Sequence, residues 1–256
     1  IVAGDDDYIL DGVLRFVLSA IVKHRGVALF CLKKEAVPRW VRRGAGILEY
    51  ISYVGFLMTW ISGIVMRRDL YLSVEEPQKD DDTRIPQVYL QLEMLKQNPE
   101  FAVLYGRVLA EDSGERMASG FNFGEVFIKN YLDILMAAGI PAYLLSQEKK
   151  RLAEDMIYDR LQKITKYHYD LPLDGIFDIM HEYYGEEPYY EEVVAKMKEI
   201  LQEAGDAGDQ ADAEKQDTNA RYTKYAAAQA WLTDSSVVIP SISGGGSPMV
   251  QKVVPF

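Results

Sequence analysis

The hydrophobic positions of this chain recur mostly every three or four residues, a spacing that is typical of amphipathic helices. A first helix is predicted over 8–22, and a short buried strand is predicted over 27–32. Beyond a polar segment, the same periodicity predicts a series of further helices, which cover 87–97, 99–110, 123–138, 146–167, 173–184 and 188–204. The chain is therefore expected to be predominantly helical.

The C-terminal end follows a different pattern. Tyr222 and Leu232 belong to one stripe of a predicted helix. The β-branched run 237–239 then stops at Pro240, and an extended apolar pattern resumes over 250–254. These two segments are predicted to be strands. The predicted fold class is α+β, with a small β component formed by the C-terminal strands.

The stretch 45–66 is apolar except for Glu49, and its uncharged part, 50–66, is 17 residues long. A helix needs about 20 apolar residues to span a bilayer. Two interpretations remain open for this stretch. It is either a helix buried in a domain or at an oligomer interface, or a helix in contact with a membrane.

Composition narrows the class of protein. The chain of 256 residues has 48% hydrophobic and 26% charged residues, as an ordinary globular protein does. Its net charge of −11 is uneven, because residues 1–70 contain ten Lys/Arg and seven Asp/Glu while the rest is strongly acidic. An acidic body argues against a nucleic-acid partner.

Shifts in composition also predict the domain organisation. An apolar and basic helical region, 1–72, precedes a polar linker, 73–86, and a helical domain, 87–204. An acidic low-complexity connector follows at 205–217, and 218–256 supplies the helix and two strands of the C-terminal end. The chain is thus expected to consist of several distinct parts.

Residues that carry catalysis or bind metals in other proteins are few here and poorly spaced. Cys31 is the single cysteine, which excludes an intrachain disulfide and a cysteine-based zinc site. His24, His168 and His181 do not form an HExxH motif, and the aspartate runs lack the alternation of a calcium loop. No combination of nucleophile, base and orienting residue is recognisable. We therefore expect no enzymatic activity, no metal and no cofactor.

A glycine-rich loop near the C terminus is the strongest candidate for a binding site. It lacks the Lys-Thr or Lys-Ser of a P-loop, and it precedes a strand rather than a helix, which excludes a dinucleotide fingerprint. It is either a flexible strand connection or a turn whose amides and hydroxyls bind a peptide backbone. The candidate ligand-binding residues are Ser241, Ser243, Gly244, Gly245, Ser247 and Trp231.

Tyrosines provide a second candidate. The chain contains 17 of them, and six form a cluster between Tyr167 and Tyr190. Tyrosine combines a large contact area with a polar tip, which suits binding surfaces. Either these side chains line a peptide groove, or they serve ordinary packing between helices.

The C-terminal pattern resembles a known family. A helix with an Arg-x-x-x-Tyr-x-x-Ala-Gln-x-x-Leu pattern, an apolar strand ending at Pro240, a loop and a closing strand over 250–256 resemble the end of the oligopeptide-binding lipoproteins of bacterial ABC importers. A weaker resemblance extends back to Tyr190, whereas 1–189 resembles no family that we recognise. The residues of the helical pattern are Arg221, Tyr225, Ala226, Gln229 and Leu232.

This resemblance implies a peptide-binding component of an ABC importer, or a fragment of one, located outside the cell or at the cell surface. The implied partners are an oligopeptide and an ABC permease. No signal peptide or lipobox cysteine is recognisable in the sequence. Two alternatives remain: a mainly helical interaction protein that contacts a membrane through 45–66, and a composite chain that has no ligand.

Overall fold

A computed structural model describes residues 7–35, 38–107, 109–111, 120–167, 171–202, 238–242 and 248–252. For the short strands at 7–9, 109–111, 238–242 and 248–252, it describes the backbone. The chain divides into two compact units, Ile1–Leu201 and Gln202–Phe256, which we call unit 1 and unit 2.

Unit 1 is mainly helical, in agreement with the predicted class. Its α-helices are α1 (Val13–Lys23), α2 (Ile47–Tyr53), α3 (Arg68–Leu72), α4 (Pro86–Gln97), α5 (Tyr131–Ala137), α6 (Ala142–Leu152), α7 (Tyr158–Tyr167), α8 (Ile176–Tyr184) and α9, which covers 190–202. Short 3₁₀ turns occupy Gly55–Thr59, Ile61–Gly63 and Asp81–Thr83. The π-helical segment Glu125–Asn130 leads into α5, and the π-helical segment Ala153–Ile157 joins α6 to α7.

The strands that the structure describes in unit 1 form two sheets. They are β1 (Asp7–Ile9), β2 (Leu29–Lys34), β3 (Trp40–Ala45), β4 (Ile64–Met66), β5 (Glu100–Gly106) and β6 (Leu109–Glu111). A four-stranded mixed sheet has the order β3-β5-β2-β4, in which only β2 and β5 run parallel. The pair β1 and β6 forms a small antiparallel sheet of its own within the described residues. The β component is thus larger than the C-terminal strands predicted from the sequence.

The predicted helix 99–110 is wrong, because this segment contains the inner strand β5. Residues 101–104 are Phe-Ala-Val-Leu, and all four are fully buried. A strand that is covered on both faces has a continuous apolar run with no alternation, so its periodicity does not distinguish it from a buried helix. Pro99 suits the first turn of a helix and reinforced the error.

The stretch 45–66 is not one helix either. It contains α2, two 3₁₀ turns and β4, and the chain turns at Gly46 and Gly55, which both have positive φ. Tyr50, Ile51 and Met58 are completely buried in unit 1. Within the described ranges, no helix combines the length and the apolar character that crossing a bilayer requires.

The two faces of the four-stranded sheet have separate cores. Alternate residues of a strand point to opposite faces, so Leu29 and Cys31 of β2 belong to one core while Phe30 and Leu32 belong to the other. The first core continues into α2, α4, α5, α6, α8 and α9. The second is small, and the helix that contributes buried side chains to it is α1.

A buried polar network holds the larger core together. Tyr131 Oη donates to Glu148 Oε1 over 2.7 Å, and Arg151 forms an ion pair with the same carboxylate. Arg151 also donates to the carbonyl oxygens of Ile51 and Ser52, over 2.5 and 2.8 Å. Burial raises the pKa of Glu148, although the bonds from Arg151 and Tyr131 favour its charged form. The network thereby joins α5 and α6 to the end of α2.

The predicted linker 73–86 lies inside unit 1. Residues 1–72 supply β2, β3 and β4, and 87–204 supplies β5, which lies between β3 and β2 in the same sheet. Gln87 Nε2 also donates to the carbonyl of Thr59 over 2.6 Å. The two regions on either side of this segment therefore share one sheet and one core.

Candidate functional site

The C-terminal hairpin contains the first candidate site. Strands β7 (Val238–Ile242) and β8 (Pro248–Lys252) pair antiparallel, with Ser241 opposite Met249 and Ile242 opposite Pro248. Two strands were predicted here, and their limits differ from the expected ones, because β7 continues through Pro240 to Ile242. A proline is tolerated in an edge strand, and both strands of a two-stranded sheet are edges.

The structure places the predicted site residues only in part. Ser241 lies in β7, one position before the end of the hairpin ladder. Ser243, Gly244, Gly245 and Ser247 belong to the sequence that joins β7 to β8. These four residues, Trp231 and the predicted helix before β7 lie outside the described residues. The role of these six residues in ligand binding stays a prediction.

The second candidate is the group of tyrosines between 167 and 190. Tyr183 Oη donates to Asp133 Oδ1 over 2.6 Å and accepts a hydrogen bond from Lys129 Nζ over 3.1 Å. Lys129 also pairs with Asp133 over 2.9 Å. Tyr183 therefore connects α8 to the helix that contains α5, and its hydroxyl is used in packing rather than in a groove.

The next tyrosines attach α8 and α9 to α6. Tyr184 is fully buried and donates to the carbonyl of Lys149 over 2.9 Å, while Tyr189 donates to the carbonyl of Ser146 over 2.7 Å. Glu187 accepts hydrogen bonds from Ser146 Oγ over 2.5 Å and from Lys149 Nζ over 2.9 Å. Helix packing thus accounts for these side chains, which was one of the two interpretations of the tyrosine cluster.

The electrostatics of this junction follow from its geometry. Partial burial acts to raise the pKa of Glu187, but the hydrogen bonds from Ser146 and Lys149 outweigh it and lower the pKa below the usual value. The Lys149 and Glu187 side chains are only 14% and 13% exposed, so water screens their attraction weakly. The carboxylate is therefore held in its charged form at neutral pH.

One groove remains open beside this junction. It has a volume of about 430 Å³ and lies between the end of α6, the start of α7 and α9. Burial, together with Glu154 and Glu192, raises the pKa of Tyr158 to about 12, so its hydroxyl stays protonated and able to donate. The polar side chains that line the groove are Lys150, Glu154, Tyr158, Tyr189, Glu192, Lys196 and Glu199.

Sequence reasoning did not single out this groove. Lys150, Glu154 and Tyr158 are spaced four residues apart, which would have placed them on one helical face. Nothing in the sequence, however, showed that α9 would pack next to that face. Two of its ion pairs, Lys150 with Glu154 and Lys196 with Glu199, join residues within one helix. The groove offers hydrogen-bonding groups of both charges rather than a single ligand chemistry.

Comparison with known proteins gives partial similarity to oligopeptide-binding proteins. Oligopeptide-binding protein SarA of Streptococcus gordonii is 55% identical over 56 residues, which are 22% of this chain and 8% of that protein. AmiA of Streptococcus pneumoniae is 57% identical over 49 residues, 19% of this chain and 7% of the relative. AliA of the same species is 49% identical over 59 residues, 23% of this chain and 8% of the relative.

These matches confirm that a segment of the chain resembles bacterial oligopeptide-binding proteins. The chain covers less than a tenth of the length of each of these relatives. The matched length is close to that of unit 2, which comprises residues 202–256. No protein-family model matches the chain. No solved structure matches it either.

Proposed function

We propose that unit 2 is a C-terminal piece of a peptide-binding lobe and that the chain acts as a peptide-binding fragment. The observation that carries this proposal is the identity of 55–57% to SarA and AmiA over about 50 residues. Identity at this level over a segment of this length supports a common local structure. What this segment contributes to binding in the complete relatives is extended here to the chain as a proposal.

The hairpin suggests how a peptide would be held. Each of β7 and β8 uses one edge for the other strand, and within the described residues the second edge pairs with no further strand. An extended peptide can add to such an edge through main-chain hydrogen bonds. We propose that the hydroxyls of Ser241, Ser243 and Ser247, the amides of Gly244 and Gly245, and the ring of Trp231 complete the contacts.

The same proposal includes an ABC permease as partner and a position at the cell surface. Both follow from the resemblance to importer receptors. Peptide receptors of this kind couple ligand enclosure to docking by a hinge movement. Because this chain matches less than a tenth of the length of its relatives, we expect it to contribute contacts to such a cleft without forming the whole of it.

Calorimetric titration of the full chain with a mixture of oligopeptides of about four to twenty residues tests the proposal. We expect heat release that is lost in a Ser241→Ala, Trp231→Ala double variant. Ser19→Ala, which alters an exposed serine of α1 in unit 1, is the matched control and should leave binding unchanged. The proposal would be overturned if a sample that is folded by circular dichroism gave no heat of binding with the peptide mixture.

A second candidate has its own observation in support. Among the residues that the structure describes, the buried side chains of the two cores of unit 1 lie within 13–200, whereas the similarity to oligopeptide-binding proteins covers about a fifth of the chain. The chain would then be a composite in which unit 1 has a separate role. Titration with peptides discriminates the two candidates, because the first requires peptide binding that depends on Ser241 and Trp231, whereas a composite chain that has no ligand binds none of the peptides.

A further inference from the structure

Helix α1 is apolar on two sides, and only one of them is covered. Val13, Val17 and Ala20 are buried against the sheet. Leu14, Leu18 and Val22 form a row at intervals of four residues on another side, and they are 50%, 52% and 61% exposed. A surface helix normally has polar residues opposite its buried stripe. The outer row of α1 departs from that rule.

Positive charge surrounds this row. Arg15 and Lys23 lie next to it on α1, and Arg25 follows the helix; all three are exposed. Partial burial, followed by the charges of Arg43 and Lys23, lowers the pKa of the neighbouring His24, although Arg43 is itself paired with Glu100 over 2.6 Å. Over residues 10–48 the sequence has eight Lys/Arg and two Asp/Glu. This part of an otherwise acidic chain is basic.

We propose that the outer face of α1, defined by Leu14, Leu18 and Val22 with Arg15, Lys23 and Arg25, binds the surface of a bilayer that contains anionic lipids. A helix in this position lies in the plane of the interface, with its apolar row among the upper acyl chains and its cations at the headgroups. The helix of 11 residues is about 16 Å long, so it rests on the bilayer and does not cross it.

Charge complementarity selects this occupant over a second copy of the chain. A stable dimer buries about 800 Å² on each partner, which is more than three half-exposed side chains supply. A symmetric contact would also bring the cations around the row close to those of its partner, and like charges at an interface cost affinity. An anionic bilayer has neither problem, because it accepts a narrow apolar row and attracts every one of these cations.

The proposal is independent of peptide binding, because it depends on unit 1 alone. It also differs from the membrane contact considered for 45–66, where Tyr50, Ile51 and Met58 are completely buried in the core. The expected binding is weak, because the cations are few and the apolar row is short. It also depends on salt, because salt screens the attraction between these cations and the headgroups.

Co-sedimentation of the full chain with vesicles tests this. We expect binding to equimolar phosphatidylcholine and phosphatidylglycerol at 0.1 M NaCl, little binding at 0.5 M NaCl, and little binding to phosphatidylcholine alone. Arg15→Gln and Lys23→Gln should each weaken binding about fivefold. Leu18→Gln should weaken it by about fivefold or more, because the apolar row is interrupted at its centre.

Two matched controls separate this surface from general effects. Leu72→Gln changes a leucine of α3 that is 65% exposed, and Lys198→Gln changes an exposed lysine of α9. Both should bind vesicles as the parent chain does. Equal binding to neutral vesicles, no binding by the folded chain, or equal losses in the controls would overturn the proposal. The proposal would also be overturned if Leu18→Gln left vesicle binding unchanged and altered only the sedimentation coefficient, since that result assigns the face to self-association.

Discussion

The two faces of the central sheet differ in how completely they are covered. On one face, the side chains of Leu29, Phe101 and Val103 enter a core that continues through several helices and contains a buried ion pair. On the other face, Phe30 and Leu104 meet α1 in a small core. The first face, which we call the thick side, also has polar contacts between distant segments of the chain. The second face, which we call the thin side, is covered by α1, whose outer leucines are exposed.

This contrast shows that apolar side chains supply the buried area, whereas polar side chains fix how the helices are positioned. Apolar area is available on both sides, but on the thick side the ends of helices are also fixed by hydrogen bonds from distant segments. Arg151 reaches the carbonyls of residues about 100 positions earlier in the chain. Mutations should therefore have their largest effects where polar and apolar contacts coincide.

The largest expected effect comes from Glu148→Ala. Removing the carboxylate leaves Arg151 and the buried hydroxyl of Tyr131 without their partner, and loss of one member of a buried ion pair costs about 3–5 kcal/mol of stability. Urea denaturation followed by circular dichroism measures this change. Glu154→Ala, in the π-helical segment that follows α6, removes a carboxylate that is 55% exposed and should cost less than about 0.5 kcal/mol. Similar losses of stability in the two variants would show that the buried contacts of Glu148 do not stabilise the thick side.

A smaller effect is expected from Gly55→Ala. Gly55 has φ of +53° and a Cβ placed there would overlap the guanidinium of Arg151. The backbone conformation costs about 1 kcal/mol for alanine, and displacing Arg151 adds about 1 kcal/mol more. Gly139→Ala is the control, because Gly139 has φ of +75° with open space around it. Its thermal stability should fall by about half as much as that of Gly55→Ala.

The pair between Lys149 and Glu187 should make stability depend on pH. The pKa of Glu187 is lowered on folding, so its contribution is present above the usual pKa of 4.5 and is lost as pH falls through the lower folded value. Glu187→Gln should therefore cost about 1–2 kcal/mol at pH 7 and clearly less at pH 3. Urea titrations at both pH values measure the difference. A loss that is equal at pH 3 and pH 7 would show that the charge of Glu187 has no role.

The last comparison sets a buried residue of α1 against its exposed neighbour, where the smallest effect of all is expected. Val17→Ala removes buried methyl groups from the thin core and should cost about 2 kcal/mol. Leu18→Ala removes more atoms from an exposed position and should stay within about 0.5 kcal/mol. Denaturation midpoints of the two variants give the comparison. If Leu18→Ala were the more damaging change, the outer row of α1 would be part of the folded core.

Much of the helical structure could be predicted from the sequence, because amphipathic periodicity survives in segments such as 123–138. The central strand β5 could not, since Phe101 to Leu104 are buried on both faces and their pattern has no period to identify. The stretch 45–66 was misjudged for a related reason. Its hydrophobicity was recognisable, but its turns depend on distant residues: the amide of Gly46 donates to the carbonyl of Pro99 over 2.8 Å, and Gly55 lies against the side chains of Arg151 and Glu148.

For the candidate sites, the sequence supplied the resemblance of the C-terminal end, which the comparisons confirm. It did not reveal the groove beside Tyr158, because that groove requires α9 to lie next to a helix some 40 residues earlier. Nor did it distinguish the tyrosines of a groove from those of a packed interface. Only the contacts of Tyr183, Tyr184 and Tyr189 made that distinction.

The order of strands in the main sheet has a consequence for synthesis on the ribosome. Among the described strands, β3 pairs with β5 alone, yet β5 follows it by more than 50 residues and is translated last of the four strands. Until residues 100–106 have left the exit tunnel, β3 has no strand in that sheet with which to pair, and one edge of β2 is open to other chains. The nascent protein is therefore expected to depend most on chaperones over that interval.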